Sequence, residues 1–206
     1  MTLDRSSVGA MLTSAAKLLA EHADYLSEID SRFGDGDHGI TIGKIAKLLL
    51  ERVPQWGDES IQEFLDDLGM AIMEVKGGSA GPLYGTMIGG LGVELGEEEN
   101  ELDADGVKRM FAGALSEMED ITDAKVGDKT MMDALIPAVE AARAAEGDAK
   151  AVLEAAAAAA EDGARASEGF VSKYGRARSY KEQTIGTPDA GAVSTSLFIR
   201  GLANGI

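Results

Sequence analysis

Apolar residues recur every three or four positions over long stretches of the chain, which is the spacing of one face of an α-helix. The first stretch runs from Val8 to Leu26, and the second from His38 to about Arg52, shortly before Pro54. A third stretch runs from Ile61 to Val75 and ends at Gly77-Gly78. These patterns predict three amphipathic helices in the first part of the chain.

Five further helices are predicted in the rest of the chain. They cover a glycine-rich segment beginning at Ser79 to Pro82, then Val107 to Met118, Met131 to Ala142, an alanine-rich stretch from about Asp148 to Lys173, and Gly191 to Ala203. Ser79 is placed to cap the first of these, and Pro82 suits its first turn. A glycine inside a helix costs about 1 kcal/mol relative to alanine, so the glycines from Gly85 to Gly92 indicate close approach of a neighbour or a ligand.

The composition supports this helical pattern. The chain has four prolines and five per cent aromatic residues, and it contains an uninterrupted alanine run from Ala155 to Ala160. Strands favour β-branched and aromatic residues, whereas alanine favours helices. The sequence therefore predicts an all-α protein, an up-and-down bundle of eight helices that forms one domain over residues 1–206.

The formal net charge of −17 repels nucleic acid and anionic lipid, so neither is an expected partner. An anionic nucleotide binds such a protein only where metal ions and backbone N–H groups override the field locally. The absence of cysteine excludes disulfides and thiolate chemistry. There is no leader pattern at Met1 and no apolar run of about 18 residues, which predicts a cytoplasmic chain without a membrane segment.

Three aspartates, Asp30, Asp35 and Asp37, lie between the first two predicted helices, together with Gly34 and Gly36. The glycines allow the backbone to curl, so that a loop can direct all three carboxylates to one point. Three like charges repel one another, and a bound divalent cation reverses that penalty. Oxygen ligands without cysteine favour Mg²⁺ or Ca²⁺ over zinc, and the spacing does not fit an EF-hand. A solvated acidic turn is the alternative interpretation.

Four glycine-containing segments interrupt the helices: the triple-aspartate loop, Gly77 to Thr86, Gly127 to Thr130, and the loop from Tyr174 to Asp189, which has no apolar period. If successive helices run up and down, these segments emerge at the same end of the bundle. Helix N-termini there offer free N–H groups to an anion, and Mg²⁺ usually completes its shell with water and substrate phosphates. The sequence therefore predicts one site for a metal and a phosphate-bearing ligand. No P-loop, dinucleotide-binding motif, kinase motif or Ser-His-Asp hydrolase motif is present.

These segments resemble, in the same order, motifs of the L subunit of dihydroxyacetone kinase. The matching residues are Asp30-x-x-x-x-Asp35-Gly-Asp37-His38-Gly39, Gly77-Gly78-Ser79-Ala80-Gly81-Pro82-Leu83-Tyr84-Gly85-Thr86, Gly127-Asp128-Lys129-Thr130-Met131, and Gly175-Arg176-Ala177 followed by Asp189-Ala190-Gly191-Ala192. The resemblance spans nearly the whole chain and implies an eight-helix barrel that binds ADP or ATP at one end through two Mg²⁺ ions. The chain departs from the pattern at Ala80, where a second serine is common, and at Ala190, where proline is usual.

The resemblance also implies a role for each site residue. Asp30, Asp35 and Asp37 would ligate the metals; His38, Gly39, Ile40, Thr41, Ser79 and Ala80 would contact phosphates by side chain or backbone N–H; Met131 would border the adenine; and Arg176, Asp189, Ala190 and Gly191 would belong to a loop that closes over the nucleotide. Arg176 is the candidate catalytic residue, because a cation beside the transferred phosphoryl group stabilises its charge.

The implied function is phosphoryl transfer to dihydroxyacetone, or to a related small hydroxyketone, held by a separate K-type subunit. The donor would be ATP, or ADP recharged in place by a phosphocarrier subunit of the phosphoenolpyruvate phosphotransferase system. A nucleotide-loaded module that reports to a transcriptional regulator is the alternative, and a structural bundle with solvated acidic loops is a third interpretation. The related nucleotide domain of fatty-acid kinases tends to have threonine after Asp-Gly-Asp, so His38 argues against that branch.

Neutralising one aspartate tests the metal-site prediction. We expect Asp35→Asn and Asp37→Asn each to abolish Mg²⁺-dependent nucleotide binding and to leave the helical content unchanged, because loop carboxylates act as ligands and not as core residues. Titration calorimetry and far-ultraviolet circular dichroism measure the two properties. Unchanged nucleotide affinity in both variants would remove the metal-site assignment.

Overall fold

The computed structural model describes residues 1–206. Its nine α-helices are α1 (Arg5–Glu21), α2 (Ala23–Asp30), α3 (His38–Arg52), α4 (Ile61–Met73), α5 (Ala80–Val93), α6 (Ala104–Ile121), α7 (Met132–Ala144), α8 (Ala149–Ala166) and α9 (Ala190–Asn204). Two short strands, β1 (Leu3–Asp4) and β2 (Glu101–Leu102), pair antiparallel. Shorter 3₁₀ segments cover Val53–Gln55, Ser167–Gly169 and Arg176–Thr184. The predicted all-α class is confirmed.

The helix boundaries differ from the predicted ones at two places. His22 has a φ of −105° and its N–H turns to the Leu19 carbonyl, so the first predicted helix is divided into α1 and α2, and nine helices replace the predicted eight. The alanine-rich helix ends at Ala166 and not at Lys173. Its end coincides with Ser167, whose hydroxyl donates to the Ala164 carbonyl and so offers the backbone an alternative to further helix.

The helices pack in a closed ring around one apolar core. The packed pairs along the ring are α3 with α4 and α5, α4 with α5, α5 with α6, α6 with α7, α7 with α8, α8 with α9, α9 with α1, and α1 with α3, while α2 packs on α3 and α9. A single cluster of 52 buried apolar residues fills the interior. None of the helices is both long and apolar enough to cross a membrane.

The helices alternate in direction, so the two ends of the ring differ. At one end, Leu3 pairs with Leu102, and the Arg5 guanidinium donates to the Gly57 and Glu59 carbonyls. These contacts join the segments that precede α1, α4 and α6, so those helices begin at this end. Helices α3, α5, α7 and α9 begin at the opposite end, where the predicted site residues lie.

Glycines bring α5 into backbone contact with its neighbours. A Cβ at Gly69 of α4 would lie 2.7 Å from the Gly89 Cα, and a Cβ at Gly85 would lie 2.7 Å from the Gly69 carbonyl oxygen. On the other side of α5, a Cβ at Gly90 would come 2.9 Å from the Ala114 Cα of α6. The glycines of this helix are therefore explained by close neighbouring helices.

Alanine substitutions at the α4–α5 contact test this packing. We expect Gly69→Ala to lower the free energy of unfolding by about 1–3 kcal/mol, because the new methyl group overpacks the contact. Gly89→Ala is the matched control, since its Cβ would meet the Gly69 Cα at an ordinary 3.6 Å. We expect this control to gain up to about 1 kcal/mol from helix propensity. Chemical denaturation measures both values, and equal destabilisation would show that Gly69 does not set the helix spacing.

Candidate functional site

A cavity of about 420 Å³ lies at the end of the ring where α3, α5, α7 and α9 begin. Its volume is in the range of small-ligand sites. Residues from all four glycine-containing segments line it, including Asp30, Asp35, Asp37, His38, Ser79, Ala80, Met131, Arg176, Asp189, Ala190 and Gly191. The structure thus brings together in one cavity most of the residues that the sequence indicates.

Three of the predicted phosphate contacts do not line the cavity. Gly39 is buried against α2, where a Cβ would collide with the backbone at Ser27. The Ile40 side chain points to solvent with 60% of its surface exposed, and Thr41 is buried with its hydroxyl against Gly77. The side chains of these residues therefore offer no contact to a ligand in the cavity, and only their backbone groups are candidates.

The triple-aspartate loop has the geometry of a cation site. One oxygen from each of Asp30, Asp35 and Asp37 lies within 4.8 Å of the others. The loop turns back because the Gly34 N–H donates to the Asp30 carbonyl at 2.7 Å and Gly36 adopts a positive φ of 75°. A Cβ at Gly34 would lie 2.9 Å from the Asp30 Cγ, so a larger residue would displace that carboxylate. Three clustered carboxylates fit a hard divalent cation.

Side-chain capping differs between the two ends of the ring. Helices α1, α4, α6 and α8 begin at the far end, and each is capped by a side chain: Asp4, Ser60, Asp103 and Asp148 respectively. At the cavity, the N-cap residues of α3, α5 and α7 make no side-chain cap, and only Asp189 caps its helix, α9. The predicted cap by Ser79 is therefore wrong. Helices α3 and α5 begin at the cavity, at His38 and Ala80, and direct their positive dipole ends toward it, while the His38 N–H donates to the Asp30 carboxylate at 3.4 Å.

The long loop reaches across the cavity to the triple-aspartate loop. The Arg176 guanidinium forms an ion pair with the Asp35 carboxylate. The Tyr180 ring packs on Phe33 with ring centroids 5.2 Å apart. Arg176 therefore lies beside a candidate metal ligand, and its charge partly offsets the repulsion among the three aspartates. We therefore expect Asp37→Asn to stabilise the metal-free protein more than Asp35→Asn does, because Asp35 already has a positively charged partner.

The polar side chains of His38, Tyr84 and Ser194 form a hydrogen-bonded network at the wall of the cavity. The His38 Nε2 lies 2.9 Å from the Ser194 Oγ, and the Tyr84 hydroxyl donates to the same oxygen at 2.7 Å. Burial lowers the pKa of His38, and the nearby Asp30 opposes this shift. The imidazole is therefore neutral at pH 7 and its ring is engaged by protein groups. Neither Tyr84 nor Ser194 is among the predicted site residues: Tyr84 lies within the motif Gly77 to Thr86 without an assigned role, and nothing along the chain distinguishes Ser194 from the other residues of α9.

Asp189 combines a structural contact with an unusual ionisation. Its carboxylate accepts a hydrogen bond from the Ala192 N–H at 2.8 Å and so caps α9. The pKa of Asp189 is raised to about 7, mainly by burial and further by Asp133 and Asp30, against the opposing effects of the Ala192 hydrogen bond and Lys129. Lys129 also lines the cavity; it belongs to the motif Gly127-Asp128-Lys129-Thr130-Met131 but has no assigned role among the predicted site residues.

Comparison with known proteins assigns the chain to a family. Residues 32–204 match the DAK2 domain. The chain is 30% identical over 206 residues to the ADP-binding subunit DhaL of the PEP-dependent dihydroxyacetone kinase of Escherichia coli K12, and the match covers 98% of both chains. The chain belongs to the DhaL family. This assignment confirms the resemblance that the sequence motifs indicate.

Larger kinases contain a similar region. The chain is 33% identical to the D-erythrulose kinase of Mycolicibacterium smegmatis over 96% of its own length and 35% of that protein. The crystal structure of the dihydroxyacetone kinase of C. freundii in complex with AMP-PNP and Mg²⁺ superposes with a TM-score of 0.74 and 25% identity over 97% of this chain. The chain spans about a third of the length of each of these two kinases.

The raised pKa of Asp189 predicts a pH dependence of stability. Between about pH 4 and pH 7 this carboxyl is ionised in the unfolded chain and protonated in the folded one, so its contribution to the free energy of unfolding falls as pH rises. Each pKa unit corresponds to about 1.4 kcal/mol. We expect Asp189→Asn, which retains the cap, to lack this decline and to be more stable than the parent at pH 8.

Denaturation of both proteins in the presence of a chelator, at several pH values, measures the difference. Chelation removes any contribution from cation binding at the nearby aspartates. Parallel stability curves for the two proteins between pH 4 and pH 8 would show that Asp189 is not held in its neutral form.

Proposed function

We propose that this chain is the nucleotide-binding subunit of a dihydroxyacetone-type kinase and works as one domain over residues 1–206. One observation carries the proposal: three clustered carboxylates line the same cavity as the first residues of α3 and α5, two helices whose N-cap residues make no side-chain cap. Carboxylates suit a cation, and helix N-termini suit phosphate, so the cavity has complementary groups for a metal nucleotide. The similarity to an ADP-binding subunit of the E. coli kinase and to a C. freundii kinase that binds AMP-PNP and Mg²⁺ supports it.

Asp30, Asp35 and Asp37 would hold two Mg²⁺ ions. These ions would neutralise negative charge on the phosphate oxygens. Backbone N–H groups at the start of α3 and α5 bind and orient the phosphates. Met131 is 5% exposed at the cavity wall, where its apolar side chain suits the face of a base.

Arg176 is the proposed catalytic residue. Its guanidinium already lies at the cavity beside Asp35, and a shift toward the phosphates would place a fixed cation where negative charge is transferred. No general base is assigned to this chain, because the His38 ring is engaged by Ser194. The proton of the acceptor hydroxyl is therefore taken up on the side of a K-type partner subunit that holds dihydroxyacetone or a related hydroxyketone.

Nucleotide and Mg²⁺ are expected to stabilise the protein together, because each removes an electrostatic penalty of the other. A ligand at a hundredfold excess over its Kd adds about 2.7 kcal/mol. In a chain of this size that corresponds to a rise in melting temperature of roughly 5–10 °C. We expect this rise with ADP plus Mg²⁺, and almost none with ADP plus a chelator. A shift with ADP that survives complete removal of metal would contradict the proposed metal bridge.

Two further measurements identify the phosphoryl donor and distinguish a kinase subunit from a regulatory module. ADP that stays bound through desalting supports the relay from a phosphocarrier, whereas a site that fills reversibly with ATP supports direct transfer. Turnover of either donor in the presence of a K-type subunit and dihydroxyacetone supports the kinase. Tight binding with no turnover under both conditions would replace the kinase with the regulatory module.

A further inference from the structure

Lys129 is unusual in both its environment and its backbone conformation. Its residue surface is only 5% exposed. Its φ is 62°, in the left-handed region that residues other than glycine seldom adopt. Such a conformation persists only where surrounding contacts hold it, and it is most often found at functional sites. The contacts of the Lys129 side chain therefore indicate which role the residue has in the structure.

The Lys129 ammonium group donates three hydrogen bonds to backbone carbonyls. The acceptors are the Ser167 oxygen at 2.7 Å, the Phe170 oxygen at 3.0 Å and the Thr184 oxygen at 2.9 Å. A lysine ammonium has three N–H groups and no others. All of its donors are thus used within the protein, and Lys129 has none left for a phosphate in the cavity.

These three carbonyls lie on both sides of the loop that carries Arg176. Ser167 and Phe170 precede the loop, and Thr184 ends its 3₁₀ segment. The Thr184 hydroxyl also accepts a hydrogen bond from the Ser172 N–H at 3.0 Å, which joins the two sides directly. Lys129 therefore fastens both ends of one excursion of the chain, residues 173–183, which we name the Arg176 arm.

The Arg176 arm itself lies at the surface and contains an irregular 3₁₀ segment. Arg176 and its neighbours up to Glu182 are mostly exposed. Gly175 and Lys181 adopt positive φ values of 61° and 50°, and Lys181 interrupts the 3₁₀ segment. The arm is thus an exposed segment with a buried, fully hydrogen-bonded base.

We propose that Lys129 is a positioning residue, which sets the location of Arg176 over the cavity by fastening both ends of the Arg176 arm. This inference rests on the proposed function for the role of Arg176, although the fastening itself is a property of the chain alone. Burial lowers the pKa of Lys129, and the neighbouring carboxyl groups of Asp189, Glu168 and Asp133 oppose that shift.

Trypsin cleavage in the absence of nucleotide tests the fastening. Arg176, Arg178 and Lys181 provide cleavage sites in the arm. We expect Lys129→Met to accelerate cleavage at these sites by about tenfold, because cleavage follows the population of the locally opened state. Lys173→Met is the matched control. It removes the ion pair between the exposed Lys173 side chain and Asp128 but leaves the three Lys129 hydrogen bonds intact, so we expect at most a small change at Arg176, Arg178 and Lys181.

A double-mutant cycle tests the positioning of Arg176. With nucleotide, Mg²⁺ and a K-type subunit, we expect Lys129→Met to lower kcat about tenfold and to leave the Kd for ADP with Mg²⁺ within about threefold. Combined with Arg176→Ala, it should lower kcat no further than Arg176→Ala alone. A residue that only supports folding would add its loss to that of Arg176→Ala, and this additive result would overturn the proposal.

A second variant covers the case in which Lys129→Met does not fold. Thr184→Val removes the hydroxyl that joins the two sides of the arm and keeps the side-chain volume. We expect the same faster cleavage within the arm and the same lack of additivity with Arg176→Ala. Unchanged cleavage rates in Lys129→Met would overturn the fastening by Lys129, and unchanged rates in Thr184→Val would show that the Thr184 hydroxyl does not join the two sides of the arm.

Chemical rescue provides an independent check. We expect ammonium ions to lower the cleavage rate of Lys129→Ala toward that of the parent protein. Tetramethylammonium has no N–H donors, so we expect it to have no effect. Equal effects of the two salts would overturn the assignment of the three carbonyl contacts. If the parent protein binds no nucleotide, the proposed function fails, while the cleavage and rescue results still decide whether Lys129 fastens the arm.

Discussion

Negative charge gathered at one end of the ring is the constraint on which the rest of this structure depends. The chain carries a formal net charge of −17, and three of its carboxylates meet within 4.8 Å. A phosphate ligand adds further negative charge to the same cavity. The alternating helix directions offset this negative charge, because they place the positive ends of α3, α5, α7 and α9 at the cavity. Each such helix end favours a nearby anion by about 0.3–1 kcal/mol.

The up-and-down ring also explains the glycine content of α5. Gly69 and Gly85 bring α4 and α5 into backbone contact, and Gly90 does the same for α6. The glycines of α5 therefore set its spacing from α4 and α6, and the same helix contributes Ala80 to the cavity wall.

Periodicity was sufficient to predict the helices, and local clustering was sufficient to predict the triple-aspartate loop, because both signals lie within short stretches of sequence. The family resemblance supplied most of the remaining cavity residues. The break at His22 was not predictable, since the apolar stripe continues through it from Val8 to Leu26. The missing cap at Ser79 was also not predictable, because a serine before a helix normally caps it.

Contacts between distant segments account for the other omissions. Arg176 and Asp35 are separated by 141 positions, and Lys129 and Thr184 by 55. Each of these residues lies in a glycine-containing or polar segment of the sequence, but the neighbouring residues do not indicate which distant residue it contacts. The positive φ of Lys129 is equally hidden, because lysine has no preference for that conformation.

The unequal capping of the two ends has a consequence for how this fold can diversify. Helices α1, α4, α6 and α8 have their N-terminal hydrogen bonds completed by side chains far from the cavity. The residues that confer thermodynamic stability on those helix ends are therefore not the residues that meet a ligand. Substitutions at the cavity rim can accumulate without eroding the caps. Selection can thus change the ligand-binding residues and the helix-capping residues of this chain independently, because they occupy different positions.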